Sequence, residues 1–229
     1  MEKIIILSYF YPPCGLTASN RPHYWANNLV KFGYYPLVIT RNWNVQINEE
    51  SDSSKKTGTK IIIKKNKDHE VHYLPFRGTL RDRFYSKYKN FKYVKIRKIL
   101  SFLELILQNF FLFSVYKKIY IETSNLLKND PSIKKVLITG NPFVLFQIGY
   151  KLKKKYPRLI WVADYRDDWS TSEINLKNTI FEKTIAQLEK KSEKKWISNS
   201  NSFTTVSDYY RKKIELFHNK KGDVILNGF

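Results

Sequence analysis

Asp164, Arg166, Asp167 and Asp168 crowd the end of the stretch LIWVADYRDDW, Leu159 to Trp169, directly after the apolar run Leu159–Ala163. A continuous apolar run with β-branched residues predicts a strand buried on both faces, and the charged residues that follow predict the loop at its carboxyl end. In an open α/β sheet that rim is where ligands bind. Carboxylates there can take hydroxyl protons or hold hydroxyl groups, whereas an arginine stays protonated and can only orient or neutralise. The plainer alternative is a helix-entry loop whose carboxylates cap the next helix and pair with Arg166.

Two other segments could join it. Thr139, Gly140 and Asn141 follow the run KVLIT, Lys135 to Thr139, and so fall at the carboxyl rim of another strand. Gly15 stands just before a predicted helix, where free N–H groups and the helix dipole favour a phosphate. A lone glycine fits a plain turn equally well. Neither the G-x-G-x-x-G fingerprint nor the G-x-x-x-x-G-K-[ST] loop is present, so dinucleotide-binding and P-loop readings lose their main support.

The surrounding pattern predicts the elements that must position these groups. Lys3 to Ser8 is the first strand, followed by the loop YFYPPCGLTASNRP and a helix capped by Ser19 or Asn20, with Pro22 in its first turn. Trp25, Ala26, Leu29 and Val30 form its apolar stripe, Gly33 closes it, and Tyr35 to Thr40 is the second strand of a βαβ unit. Residues 48–60 predict a polar surface loop, followed by short strands at 60–64 and 70–74. Further on come a helix to about Lys155, a helix from about Asn175 to Ser198, the strand Ser202 to Val206, and a helix capped by Ser207. Asp223 to Leu226 is a last strand. This order predicts an α/β fold, a Rossmann-like doubly wound parallel sheet, as a single domain over 1–229.

At 229 residues and 42% hydrophobic content the chain can bury a substantial core. Lys and Arg number 41 against 20 Asp and Glu, a net charge of +21 that favours anionic partners. No helix-turn-helix, zinc-finger or RNP-like motif accompanies it, so nucleic acid is not the expected partner. The single Cys14 excludes an internal disulfide and a multi-cysteine zinc site. The run after Met1 is too short for a signal peptide and breaks at Pro12 and Pro13, which predicts a cytoplasmic protein. A long helical insertion is expected at about 88–128, with an unusually apolar centre from Ile99 to Val115. Lys92, Lys95, Arg97 and Lys98 precede that centre and Lys117 and Lys118 follow it. The run falls short of the ~20 residues needed to cross a bilayer, so it is either a core helix or a segment lying on an anionic membrane surface.

Taken in order, ILSYFYPPCGLTASNRP, ITGNPF, WVADYRDDW, FTTVSDYYRKKI and VILNGF resemble the amino-terminal half of family 4 (group 1) glycosyltransferases of the GT-B fold. The resemblance runs from Lys3 to Phe229 and is weakest over about 42–128. It implies transfer of a sugar from a nucleotide-diphosphate donor to a hydroxyl acceptor, with retention and with no metal or other cofactor. By the same resemblance Gly15 and Leu16 fall on the donor-phosphate loop, and Arg21, Asn141 and Ser207 on the acceptor side. Arg166 and Asp167 fall where many members carry a His and an Asp. Two departures stand out, since Leu16 replaces a second glycine and Arg166 replaces the histidine. Arg166 is therefore given an electrostatic role toward the departing diphosphate, and Asp167 or Asp164 is left to bind sugar hydroxyls.

No stretch resembles the donor domain, so the expectation is an isolated acceptor-side domain that is inactive alone. Charge and the apolar insertion point to a lipid-linked or surface-polysaccharide acceptor at the inner face of a membrane, with the protein peripheral there. The competing classes are a GT-B-type sugar-nucleotide epimerase and a non-catalytic basic module for membrane or nucleic acid. The last predicts steeply salt-dependent association with DNA or RNA.

Overall fold

The computed structural model describes residues 1–43, 55–88, 91–171 and 179–227. Its centre is one sheet whose strands run in the order β3-β4-β2-β1-β5-β6-β7-β8. The strands are β1 (Glu2–Leu7), β2 (Tyr34–Arg41), β3 (Ile62–Lys65), β4 (Glu70–Leu74), β5 (Lys135–Thr139), β6 (Ile160–Tyr165), β7 (Ser202–Thr205) and β8 (Gly222–Val224). All pair in parallel except β3, which runs antiparallel to β4 at one edge. The helices are α1 (Asn20–Asn28), α2 (Leu80–Lys87), α3 (Val94–Phe110), α4 (Ser114–Asn129), α5 (Val144–Lys155), α6 (Ile180–Ile197) and α7 (Asp208–His218).

Strand alternation divides the core into two layers. Ile5 and Leu7 of β1 join the large cluster with Ile119 of α4, Phe146 of α5, Trp196 of α6 and Ile214 of α7. Ile6 between them faces the opposite layer, with Val38, Val71 and Ala26 of α1. This is the double winding expected from the sequence, with α1 alone on one face and α4 to α7 on the other. Gly149 shows how closely α5 lies on the sheet, because a Cβ there would sit 2.3 Å from the Trp161 ring. Gly33 adopts φ 83° and ends the first helical segment, as predicted.

Several boundaries move. β6 continues through Asp164 and Tyr165, so Asp164 belongs to the strand and not to the loop after it. Neither Ser19 nor Asn20 caps α1: a short 3-10 turn, Thr17–Ser19, precedes it, and the Ser19 hydroxyl donates back to the carbonyls of Cys14 and Leu16. The predicted strand at 60–64 lies at Ile62–Lys65. Part of the polar loop (48–54), the start of the predicted helix at Asn175, and Gly228 and Phe229 lie outside the described residues.

The long helical insertion expected at about 88–128 is two α-helices, α3 and α4, and α2 lies just before it. α2 is started by a capping box in which Thr79 Oγ1 accepts from the Asp82 N–H and Asp82 accepts from the Thr79 N–H. α3 then stops at Phe110, where the side-chain amide of Gln147 donates to the carbonyls of Gln108 (2.6 Å) and Asn109 (3.1 Å). Those are carbonyls of the final turn that lack a partner within the helix. Ser114, at φ 53°, turns the chain into α4.

Candidate functional site

The sheet order reverses between β1 and β5, since the chain moves from β1 outward to β2 and β4 and returns to the far side of β1 with β5. The loops after these two strands diverge at such a switch point and leave a crevice at the carboxyl edge. A cleft of about 580 Å³ lies there. Tyr9, Phe10 and Leu16 from the β1 loop line it, as do Asn141, Pro142 and Phe143 from the β5 loop. Thr79, Arg81 and Asp82 of the α2 start and Glu104 of α3 reach it from the insertion.

On the rim, Asn141 takes φ 55°, a left-handed conformation that asparagine tolerates better than most residues. Its side-chain amide donates to Asp167 Oδ2 at 3.2 Å. Arg166 donates to the same oxygen from Nε (3.3 Å) and Nη2 (3.0 Å). Asn141, Arg166 and Asp167 thus form one connected group, and the Asp167 side chain is 50% exposed. Its other oxygen therefore stays accessible to a ligand hydroxyl. Asp168 closes its own loop instead, accepting from Thr171 Oγ1 and from Lys213 (3.2 Å).

Asp164 and Arg21 do not join this group. Asp164 has no exposed surface, and its Oδ1 accepts from Arg21 Nη2 (2.8 Å) and Thr204 Oγ1 (2.7 Å). Burial pushes its carboxyl up, while Arg21 and Thr204 pull it down. Arg21 also donates to the carbonyls of Ile225 (2.7 Å) and Leu226 (3.2 Å). Asp164, expected on sugar hydroxyls, and Arg21, expected on the acceptor side, are instead engaged with each other in a buried ion pair that fastens α1 to β6, β7 and the chain after β8. The reason is strand alternation, because Trp161, Ala163 and Tyr165 face the large core layer and Asp164 must face away from it.

The remaining predicted residues are dispersed along the same edge. Gly15 is exposed on the β1 loop, ahead of the 3-10 turn and not at the first turn of an α-helix. Leu16 is half-buried and packs beside Cys14 and Trp43 while lining the cleft. Ser207 caps α7 by accepting from the Tyr210 N–H (3.2 Å), as predicted, and Asp208 stands in the first turn.

Three features escaped the sequence reading. Phe143 and Trp169 stack with centroids 4.7 Å apart and planes within 7°, forming an aromatic wall of the cleft. Glu193, fully buried, accepts from Tyr165 Oη (2.9 Å) and from the Ser170 N–H (3.0 Å) and faces His218 Nε2 (3.1 Å), which anchors the loop carrying Arg166 and Asp167. Arg41 is fully buried and has no carboxylate partner among the described residues: it lies 3.8 Å from the Trp43 ring centroid and 3.4 Å from that of Phe76, and Nη1 donates to Tyr9 Oη at 2.5 Å. Buried arginines are ordinarily ion-paired, so only an aromatic or apolar lining repeated at distant positions could have signalled this one.

No protein-family model matches the sequence, and no curated protein matches it. Solved structures match its shape. A sucrose-phosphate synthase from Thermosynechococcus elongatus aligns with 100% of this chain and 49% of its own, with TM-score 0.57 and 10% identity. The catalytic domain of starch synthase IV from Arabidopsis thaliana, bound to ADP and acarbose, aligns with 99% of this chain and 51% of its own, with TM-score 0.56 and 13% identity. The chain therefore spans about half the length of each. At such identities the likeness is one of fold, and the fold is that of a Rossmann-like domain of the GT-B type.

Proposed function

We propose that this chain is the acceptor-side domain of a family 4-type glycosyltransferase, moving a sugar with retention from a nucleotide-diphosphate donor to a hydroxyl acceptor held at an anionic membrane surface. The observation that carries the reading is the cleft at the β1/β5 switch point, lined by Asn141, with the Arg166–Asp167 pair bonded to that residue. A departing nucleotide diphosphate gathers negative charge, and Arg166, always protonated, supplies a fixed positive charge against it. Asp167 accepts a sugar hydroxyl, and Asn141 holds the carboxylate in register. The Phe143–Trp169 stack offers an apolar face to a sugar ring. In this reading the facing donor domain supplies most of the nucleotide contacts, and no resident cofactor is required.

The membrane part rests on α3, none of whose residues is buried. Ile99 (56%), Leu103 (48%), Leu107 (50%) and Phe110 (65%) make an exposed stripe at helical spacing. Contrary to the expectation that the run falls short of crossing a bilayer, Val94–Asn129 is long and apolar enough by length and composition. Its 18-residue window of mean hydropathy 1.7 is 6% buried, although residues 111–113 separate α3 from α4. Such a stripe beside Lys92, Lys95 and Lys98 suits an interfacial helix.

The test is transfer of radiolabelled sugar from a panel of nucleotide-diphosphate sugars into membrane lipid extract by the full-length protein that carries this domain. Arg166→Ala is expected to lower kcat by about 100-fold, the scale for losing one preorganised charge-stabilising group, with partial recovery in Arg166→Lys. Transfer that is unchanged in both Arg166→Ala and Asp167→Asn, or absent with every donor, would remove the reading.

A further inference from the structure

A second concavity lies between α2 and α3. It is about 640 Å³, within the range of small-molecule pockets, and its apolar lining is Leu80, Leu100, Leu103, Leu107 and Phe113. Four cations border it: Arg77, Arg81, Arg83 and Lys118. Among the described residues the one carboxylate on its lining, Glu104, accepts from Thr79 Oγ1 (2.7 Å) and Gln108 Nε2 (3.3 Å), and burial pushes its carboxyl up. Arg81 lies 3.7 Å from Asp82, whereas no carboxylate among the described residues pairs with Arg77, Arg83 or Lys118, which leaves the border with excess positive charge. Thr79, Arg81, Glu104 and Ser114 line both this groove and the switch-point cleft, so the two adjoin.

We infer that this groove takes the hydrocarbon tail of a single-chain phosphorylated lipid, its phosphate resting among Arg77, Arg81 and Arg83 and its head group entering the switch-point cleft. The inference rests on the proposed transfer reaction and assigns the acceptor's lipid part to particular residues. An apolar lining with an unbalanced cationic border matches a ligand that has a long apolar tail and an anionic end. A neutral lipid would leave the border unmatched, and a free phosphate would leave the apolar lining unmatched. Arginine is suited to the border because its planar fork meets two phosphate oxygens at once. The groove shares Leu103 and Leu107 with the exposed stripe, whose outer residues Ile99 and Phe110 do not line it. Ile99 and Phe110 therefore test contact with the bilayer, and Leu100, which lies outside the stripe, tests entry of one lipid.

The experiment is titration of the purified protein with geranylgeranyl monophosphate below its critical micelle concentration, with geranylgeraniol and inorganic phosphate as comparison probes. Geranylgeranyl monophosphate should bind at least tenfold more tightly than the alcohol, and inorganic phosphate should show no saturable binding. Leu100→Trp, which fills the groove, should weaken the phosphorylated probe at least tenfold while leaving co-sedimentation with anionic vesicles intact. Arg77→Glu with Arg83→Glu, at exposed positions, should lower affinity for the phosphorylated probe to that of the alcohol and decides the matter if Leu100→Trp does not fold. Equal binding of phosphorylated lipid and alcohol, or full binding by the charge-reversed variant, overturns the inference. A protein that binds the lipid but transfers no sugar refutes the reaction alone. One that transfers sugar to soluble acceptors and binds no lipid refutes the groove alone.

Discussion

α3 and α4 follow each other in the chain, are both amphipathic and nearly equal in length, and meet opposite fates. α4 buries Val115, Ile119, Thr123 and Leu127, one stripe at four-residue spacing, against β2, β4 and α5. α3 leaves Ile99, Leu103, Leu107 and Phe110 in solvent. Folding accounts for the first stripe, because removing it from water stabilises the chain. The second stays about half exposed and contributes much less of that kind, so its apolar character points to something outside the fold. Asp164 and Asp167 repeat the contrast three residues apart: one has every oxygen engaged and no exposure, while the other stands half in solvent.

The contrast can be broken most forcefully at the sealed charge. Asp164→Ala strands Arg21 without its partner, and an unfolding measurement should lose about 3–5 kcal/mol. Asp167→Ala should change stability by less than about 0.5 kcal/mol. If the two cost the same, sealed and open describe nothing energetic. Next, Ile119→Ala on the buried stripe should cost about 2–5 kcal/mol in urea unfolding, for lost transfer energy and the cavity left behind. Ile99→Glu with Phe110→Glu on the exposed stripe should leave the denaturant midpoint nearly unchanged. That same double variant should lose at least about tenfold in binding to anionic vesicles, since each buried apolar side chain is worth about 1.5–3 kcal/mol. Vesicle binding that survives it would detach the stripe from the membrane.

The smallest effect sits at the end of α4. Asp130 accepts from Lys3 at 2.6 Å and from Ser132, and these bonds lower its carboxyl to about 2. A depressed carboxylate contributes stability that is fully present above its unfolded value of about 3.9 and is lost as pH falls toward about 2. The pair is partly exposed, so Asp130→Asn should cost well under about 1 kcal/mol at pH 7 and nothing measurable at pH 2. Tm measured at both pH values checks this.

Much of this was legible in the amino-acid order. The strands were readable because a parallel sheet covered on both faces demands continuous apolar runs, as in Ile4–Leu7 and Val136–Ile138. The caps at Gly33 and Ser207 were readable because each depends on its own neighbours. The rim group was readable in part, since Asn141, Arg166 and Asp167 all follow strands. What escaped depended on distant partners. Arg21 and Asp164 are 143 residues apart, and no local pattern joins them. The stop at Phe110 comes from Gln147, on another helix. Arg41 reads as an ordinary charge until Trp43 and Phe76 enclose it.

Arg41 carries one more implication. Its Nη1 occupies a lone pair of the Tyr9 oxygen, and Tyr9, its ionisation pushed up by burial, keeps its proton. The phenol must then direct its own hydrogen somewhere other than the guanidinium, and the ring already borders the switch-point cleft. The cation buried beside the cleft thus constrains the tyrosine next to it: that phenol can give its hydrogen only to an acceptor other than the guanidinium.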